Sequence, residues 1–146
     1  MTELAEIPTF IFAGHETAAT TVSWALFELT QHPDMQSRLR AELRTFILPA
    51  SANGNVPLDA ETLTALDKLP LLDAVVRETL RLHPPAQMVD RIAVRDTIIP
   101  LAQPFVDRHG VQRDVIHMAK GDVFTIPILS VHCSKALWGE DARAWR

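Results

Sequence analysis

The chain has 146 residues and few of the residue types that build the commonest binding and catalytic motifs. Its single cysteine, Cys133, excludes an internal disulfide framework and fits a reducing compartment. The five glycines are too scattered to form a phosphate-binding loop or a Gly-x-Ser-x-Gly elbow. The six histidines include no i,i+4 pair, so no zinc motif of the His-Glu-x-x-His type is present. We therefore expect no metal site built from residues of this chain alone.

Acidic residues outnumber basic ones by 18 to 14. The formal net charge is −4 and no basic run occurs, so the sequence gives no reason to expect a nucleic-acid partner. The N-terminus carries acidic residues where a secretory signal would carry basic ones, and we predict neither a targeting segment nor a membrane anchor. A composition of 47% hydrophobic and 22% charged residues is typical of a globular protein with a real core.

The most conspicuous segment is residues 7–29, which we predict to be one long helix with apolar residues on every side. Such a helix is either deeply buried or membrane-spanning. Glu16 lies near its middle, where a carboxylate costs roughly 2.5–3.5 kcal/mol to insert into a bilayer, and we favour burial. The helix would be roughly 35 Å long, close to the diameter of a compact domain of this size. Because the later residues cannot surround it, we expect the chain to be part of something larger.

The rest of the chain predicts shorter elements. Helices are expected at residues 33–46, at about 60–66 with Asp59 as the N-cap, and at 70–82 before a Pro-Pro pair. Residues 49–57 read as a turn-rich loop. Four short β runs follow at 91–94, 97–101, 115–118 and 123–126.

Residues 13–17, AGHET, are the first candidate site. Glycine inside a helix costs about 1 kcal/mol relative to alanine, so something should approach the backbone at Gly14. Glu16 and Thr17 could deliver protons to a substrate bound there. The alternative is a small-residue packing contact, with Thr17 bonded back to a backbone carbonyl. The residues alone favour the packing contact.

Glu78 and Arg81 are the second candidate, since a spacing of three places them on one helix face. They could be an exposed pair worth a few tenths of a kcal/mol. Because Glu78 borders the apolar face of its helix, they could equally form a partly buried clamp. Cys133 has no evident activating neighbour in the sequence, and we interpret it as a packed or idle thiol.

In combination and order, these motifs resemble the cytochrome P-450 family of haem-thiolate monooxygenases, of the microsomal eukaryotic type. Residues 13–17 are similar to the family's I-helix motif, and residues 78–81 to its K-helix Glu-x-x-Arg, followed by a matching RLHPP. The resemblance implies a mainly α fold with a small β portion, as an incomplete P-450 domain over residues 1–146. Its expected segments are the I helix (1–32), J helix (33–48), K helix (69–83), β region (91–127) and post-sheet segment (128–146).

The resemblance also implies roles for individual residues. Ala13 and Gly14 would bind the cofactor, Glu16 and Thr17 would be catalytic in proton relay, and Glu78 and Arg81 would form a structural clamp. Arg91 would anchor a haem propionate. The substrate cavity would be lined by Ala86, Gln87, Met88 and Val89.

The parent protein implied by this resemblance uses haem (iron protoporphyrin IX), O₂, a small hydrophobic organic substrate and a flavin reductase. It would act at the cytosolic face of the endoplasmic reticulum membrane. The family's iron ligand is a cysteine in Phe-x-x-Gly-x-x-x-Cys-x-Gly, a motif absent up to Arg146, and the surroundings of Cys133 do not match it. We therefore expect a fragment that is inactive alone and does not hold haem stably. The alternative is a non-enzymatic helical remnant or interaction module without haem.

Overall fold

The structure is a computed structural model that describes residues 3–50 and 59–146. The predicted fold class, mainly α with a small β portion, is confirmed. The helices are α1 (Glu3–Gln31), α2 (Pro33–Ala50), α3 (Ala60–Leu66), α4 (Pro70–Leu82), α5 (Ile128–His132) and α6 (Lys135–Trp138). The strands are β1 (Val89–Ile92), β2 (Thr97–Val106), β3 (Gln112–Met118) and β4 (Val123–Ile126).

The chain divides into two compact units. The helical unit comprises Met1–Gln87 and Leu129–Arg146, and the β unit comprises Met88–Ile128. The core of the helical unit lies where the last turns of α1 meet α2, α4 and the C-terminal segment, and it consists of Leu29, Leu39, Val75 and Trp145. The buried part of α1 is therefore its C-terminal end.

The N-terminal half of α1 is exposed within the described part of the chain. Every side chain from residue 6 to residue 19 is exposed, and Phe10 and Phe12 are 74% and 70% accessible. The predicted helix is present, and the described residues enclose only its last turns, in line with the expectation that the later residues cannot surround it. No described helix is long and apolar enough to cross a membrane.

Two side-chain carboxylates cap the starts of helices α3 and α4. Asp59 caps α3 as predicted, because its Oδ1 accepts a hydrogen bond from Thr62 N at 2.8 Å. The start of α4 is capped from a distance: the Glu42 carboxylate on α2 accepts from Leu71 N and Leu72 N, both at 3.0 Å. Free N–H groups at a helix N-terminus attract a carboxylate, so Glu42 joins α2 to α4.

The β unit contains two antiparallel pairs, β1 with β4 and β2 with β3. β2 continues to Val106, five residues past its predicted end, with a register shift between Pro100 and Phe105. Prolines are tolerated there because each strand of a two-stranded sheet has a free edge. Helix α2 is also longer than predicted and includes Pro49 and Ala50 of the predicted loop. Residues 51–57 of that loop lie outside the described residues.

Candidate functional site

Glu78 and Arg81 on α4 form a two-pronged ion pair. Arg81 Nε donates to Glu78 Oε2 at 2.8 Å, and Arg81 Nη2 donates to Glu78 Oε1 at 2.7 Å. The side chains of Arg81 and Glu78 are 6% and 14% exposed, so this is a partly buried fork and not a surface pair. Burial alone raises the pKa of Glu78, but the hydrogen bond and charge of Arg81, with Arg146, outweigh it and hold that pKa below its ordinary value. The same hydrogen bond raises the pKa of Arg81.

The remaining donors of Arg81 hold backbone from two distant segments. Nη1 donates to the carbonyls of His132, at 2.9 Å, and Ala142, and Nη2 donates to the carbonyl of Ala144 at 3.0 Å. All five guanidinium N–H groups are therefore used. The guanidinium also lies 4.8 Å from the centre of the Trp138 ring. Arg81 thus connects α4 to α5, α6 and the C-terminal segment.

Sequence reasoning missed the residues that complete this clamp. Thr79 is fully buried, donates to Val75 O at 2.8 Å and accepts from Trp145 Nε1 at 3.3 Å. Ala142 and Trp145 are 1% and 7% exposed, and they lie in a C-terminal segment for which no helix or strand was predicted. The available signal was compositional: a tryptophan and small alanines close to one another in a short polar stretch.

The first candidate motif forms one exposed turn of α1. Thr17 Oγ1 donates to Ala13 O at 2.7 Å, which is the backbone bond of the packing alternative. The packing contact itself is not made by the described residues, because a methyl group built on Gly14 meets nothing within 4 Å. The cost of a helical glycine is therefore not explained by a neighbour in the described part of this chain.

Glu16 and Thr17 share a shallow groove on the helical unit. The groove is lined by Phe12, Ala13, Glu16, Thr17, Thr20 and Pro85. Pro85 follows the end of α4, so the predicted acid and hydroxyl lie beside the segment that leads to the predicted substrate-lining residues. This arrangement leaves the carboxylate and the hydroxyl open to a bound molecule.

The other predicted site residues are divided between the two units. Ala86 and Gln87 belong to the helical unit, whereas Met88, Val89 and Arg91 belong to the β unit. Arg91 is exposed, pairs with Phe124 across β1 and β4, and donates from Nη1 to the carbonyl of Asp90 at 3.0 Å. Their roles stay predictions.

A second arrangement missed from the sequence lies where α4 ends against α1. The Glu28 carboxylate accepts a 2.6 Å hydrogen bond from His83 Nε2, and the His83 ring stacks on Trp24 with centroids 4.0 Å apart and planes 2° apart. An open cleft of about 530 Å³ adjoins them and is also lined by His32, Cys133 and Arg143. The histidine in RLHPP was visible in the sequence, but its partners 55 and 59 residues earlier carry no local signature.

The groove and the cleft together indicate which parts of a haem site the described residues fit. Open space over Gly14, beside Glu16 and Thr17, fits the close approach of a flat group. The Cys133 thiol lines the other cleft, which shares no lining residue with that groove. Within residues 3–50 and 59–146, no three His, Cys, Asp or Glu side chains are grouped to hold a metal. The open surface at Gly14 therefore fits one face of a flat cofactor, and Cys133 does not line the groove beside it.

Known proteins match the chain along almost its whole length. The family model described as cytochrome P-450 matches residues 2–144. Cytochrome P-450 monooxygenase 128 of Postia placenta is 48% identical over 143 residues, and ganoderic acid synthetase of Ganoderma lucidum is 39% identical over 143 residues. Each alignment covers 98% of this chain but 24% and 25% of the relative, so the chain spans about a quarter of their length. A crystal structure of a cytochrome P-450 superposes on 94% of this chain, and on 27% of its own, with a TM-score of 0.71 and 28% identity.

Proposed function

Because the chain belongs to the cytochrome P-450 family, we propose that its residues form the distal wall and the structural brace of a haem-dependent monooxygenase. When bound, haem supplies the iron that activates O₂ for insertion of one oxygen atom into an organic substrate. The observation that carries the proposal is the exposed turn at Gly14, where a glycine without a packing partner among the described residues precedes an acid and a hydroxyl that share one groove.

The geometry supports separate tasks for the residues of that turn. Ala13 and Gly14 offer a low, uncrowded helix surface to a flat ring system. The Thr17 hydroxyl donates its proton to the Ala13 carbonyl, so its lone pairs are free to accept a hydrogen bond in the groove. Glu16 is exposed and can exchange protons with bulk water. In a relay, Thr17 Oγ1 would accept a proton from Glu16 while its own hydroxyl proton, released from the Ala13 carbonyl, passes to the reacting group.

Glu78 and Arg81 serve the site indirectly, because they hold the end of α4 against the C-terminal segment. Ala86, Gln87, Met88 and Val89 would face a small hydrophobic organic substrate, and Arg91 would pair with a haem propionate. Electrons would come from a flavin reductase, and the whole protein would work at the cytosolic face of the endoplasmic reticulum membrane. These assignments rest on family membership and on the motif positions.

We also propose that residues 1–146 by themselves do not bind haem productively, because their only thiol lines a cleft away from the Gly14 turn. A second function, an interaction module without haem, is favoured by one observation. Phe10 and Phe12 are largely exposed on α1 and would suit contact with another protein surface.

A graft into a relative tests the enzymatic proposal. Residues 1–146 would replace the matching segment of the Postia placenta monooxygenase, with which they share 48% identity. We expect the graft to give a carbon-monoxide difference spectrum of the thiolate type and substrate turnover, and we expect Thr17→Ala in it to release peroxide instead of product. Ser23→Ala is the matched control, because Ser23 makes the same type of bond, to Ala19 O at 2.8 Å, but does not line the groove that holds Glu16 and Thr17.

Two results would contradict these proposals. A graft that folds but gives no thiolate-type spectrum would show that the α1 turn does not suit haem. A thiolate-type spectrum from residues 1–146 alone, titrated with haem, would overturn the proposal that they do not hold the cofactor productively.

A further inference from the structure

We propose that Trp24, Glu28 and His83 are positioning residues that set the rotation of α1 against the end of α4, and so the place of Thr17 beside Pro85. We call these three residues the α1–α4 latch. The inference deepens the proposed function and rests on it, because it assigns to the latch the alignment of the proton-relay turn. None of the three residues lines the groove that holds Glu16 and Thr17.

Within the latch, the His83 imidazole is held at its edge by a hydrogen bond and at its face by stacking. The edge donates from Nε2 to Glu28 Oε1 at 2.6 Å, and the face stacks on Trp24 at 4.0 Å. The side chains of His83 and Glu28 are 21% and 12% exposed, so water competes weakly for this bond. The backbone N–H of His83 donates to Thr79 O at 2.8 Å and fixes the ring to the last turn of α4. Two successive turns of α1 are thereby attached to one residue at the end of α4.

Helical geometry carries this attachment to the relay turn. Thr17 precedes Trp24 by seven residues and Glu28 by eleven, which at about 100° per residue places all three within about 20° of one line along α1. A rotation of α1 by about 20° would move an atom roughly 5 Å from the axis by about 1.7 Å. A misplacement of about 1 Å is enough to cost about 10²-fold in rate. Thr17 therefore lies on the same face of α1 as Trp24 and Glu28, the two residues that fix α1 to the end of α4.

The opposite wall of the groove depends on the same residue. Pro85 lies two residues after His83, and it lines both the groove with Glu16 and Thr17 and a neighbouring groove with Thr17 and Thr21. Pro84 and Pro85 each have a fixed φ, so the segment from His83 is short and stiff. Anchoring His83 thus sets the position of Pro85 as well as the rotation of α1.

The test reads the groove directly in the full, haem-free chain. The intensities of through-space NMR signals between the Thr17 methyl group and the Pro85 ring report the distance between the two walls of the groove. His83→Phe keeps an aromatic ring for Trp24 and removes the donor, and Glu28→Gln removes the charge at nearly constant shape. Asp73→Asn is the control, because it removes the negative charge from the 2.7 Å pair with Arg77 on the exposed side of α4. The indole signal of Trp145, which donates to Thr79, shows whether the core is intact.

We expect His83→Phe to weaken the Thr17–Pro85 signals severalfold, and Glu28→Gln, whose amide oxygen is still a neutral acceptor, to weaken them less. The signals of the double variant should be no weaker than those of His83→Phe, and Asp73→Asn should leave the signals unchanged. His83→Gln, which keeps a donor, should give signals stronger than those of His83→Phe and weaker than those of the unaltered chain. Unchanged signals in both single variants with an intact Trp145 signal would overturn the proposal, and so would an equal weakening in Asp73→Asn. If His83→Phe disturbs the core, the nearly isosteric Glu28→Gln decides. Since this measurement needs no haem, its outcome is independent of the graft that tests the proposed function.

Discussion

Replacing Arg81 by lysine tests the central claim about the Glu78–Arg81 clamp, that its hydrogen-bond geometry contributes more to stability than its charge does. Arg81 makes five N–H···O bonds, two to Glu78 and three to backbone carbonyls. A lysine ammonium has three donors on a flexible stem and cannot form the two-pronged arrangement, so at least two acceptors are left without a partner. Two charge-assisted bonds at about 1.5 kcal/mol each predict a loss of about 3 kcal/mol in the free energy of unfolding.

The expected loss is large against the total. Domains of this size have a free energy of unfolding of about 5–15 kcal/mol, so Arg81→Lys should unfold at a clearly lower urea concentration. Arg81→Ala should cost about 3–5 kcal/mol, because it leaves Glu78 partly buried without a counter-charge. Helical circular dichroism against urea, at low protein concentration to limit association through α1, gives the midpoint and slope for each variant.

The matched control is Arg77→Lys. Arg77 pairs with Asp73 at 2.7 Å on the same helix, but its side chain is 77% exposed. An exposed pair adds little stability, and we expect no measurable change in the urea midpoint. Equal small losses in Arg81→Lys and Arg77→Lys would refute the argument, since the positive charge alone would then account for both positions.

Three further outcomes are expected. The pKa of Glu78 is lowered in the folded state. Its stabilising contribution is therefore fully present above the unfolded-state pKa and is lost as the pH falls through the folded-state pKa. In Glu78→Gln, the urea midpoint should consequently fall less steeply as the pH is lowered. Gly14→Ala should raise the stability of residues 1–146 by about 1 kcal/mol, because a methyl meets nothing within 4 Å, yet weaken haem retention in the graft; unchanged haem retention would contradict a cofactor-facing role for Gly14. Cys133→Ser should leave the carbon-monoxide spectrum of the graft unchanged, because its thiol lines a cleft separate from the Gly14 turn. Loss of the spectrum in a graft that still folds would contradict this.

Local sequence patterns predicted the contacts between residues that are close together in the chain. The periodicity of α4 placed Glu78 at the border of its apolar face, and the spacing to Arg81 fixed the fork. The cap at Asp59 followed from a single residue next to a helix start. These features involve residues within four positions of each other, where helical geometry alone decides which side chains meet.

Long-range partners could not be predicted in the same way. The carbonyls that Arg81 holds belong to the backbone, and any residue type provides a carbonyl. Helical periodicity within α2 likewise does not show that the start of α4 lies opposite Glu42. Apolar residues on every side of α1 indicate a need for cover, but they do not identify what provides it.

The bonds of Arg81 also impose an order on events during synthesis. Its carbonyl acceptors at Ala142 and Ala144 are made 61 and 63 residues later, after both β pairs. At translation speeds of about 5–20 residues per second, the guanidinium waits roughly 3–12 s with only Glu78 to neutralise it. The helices can come together in that interval, but Arg81 can complete its backbone hydrogen bonds only after residues 142–144 have left the ribosome. A chaperone that shelters nascent chains would therefore have its largest effect on this protein in those seconds.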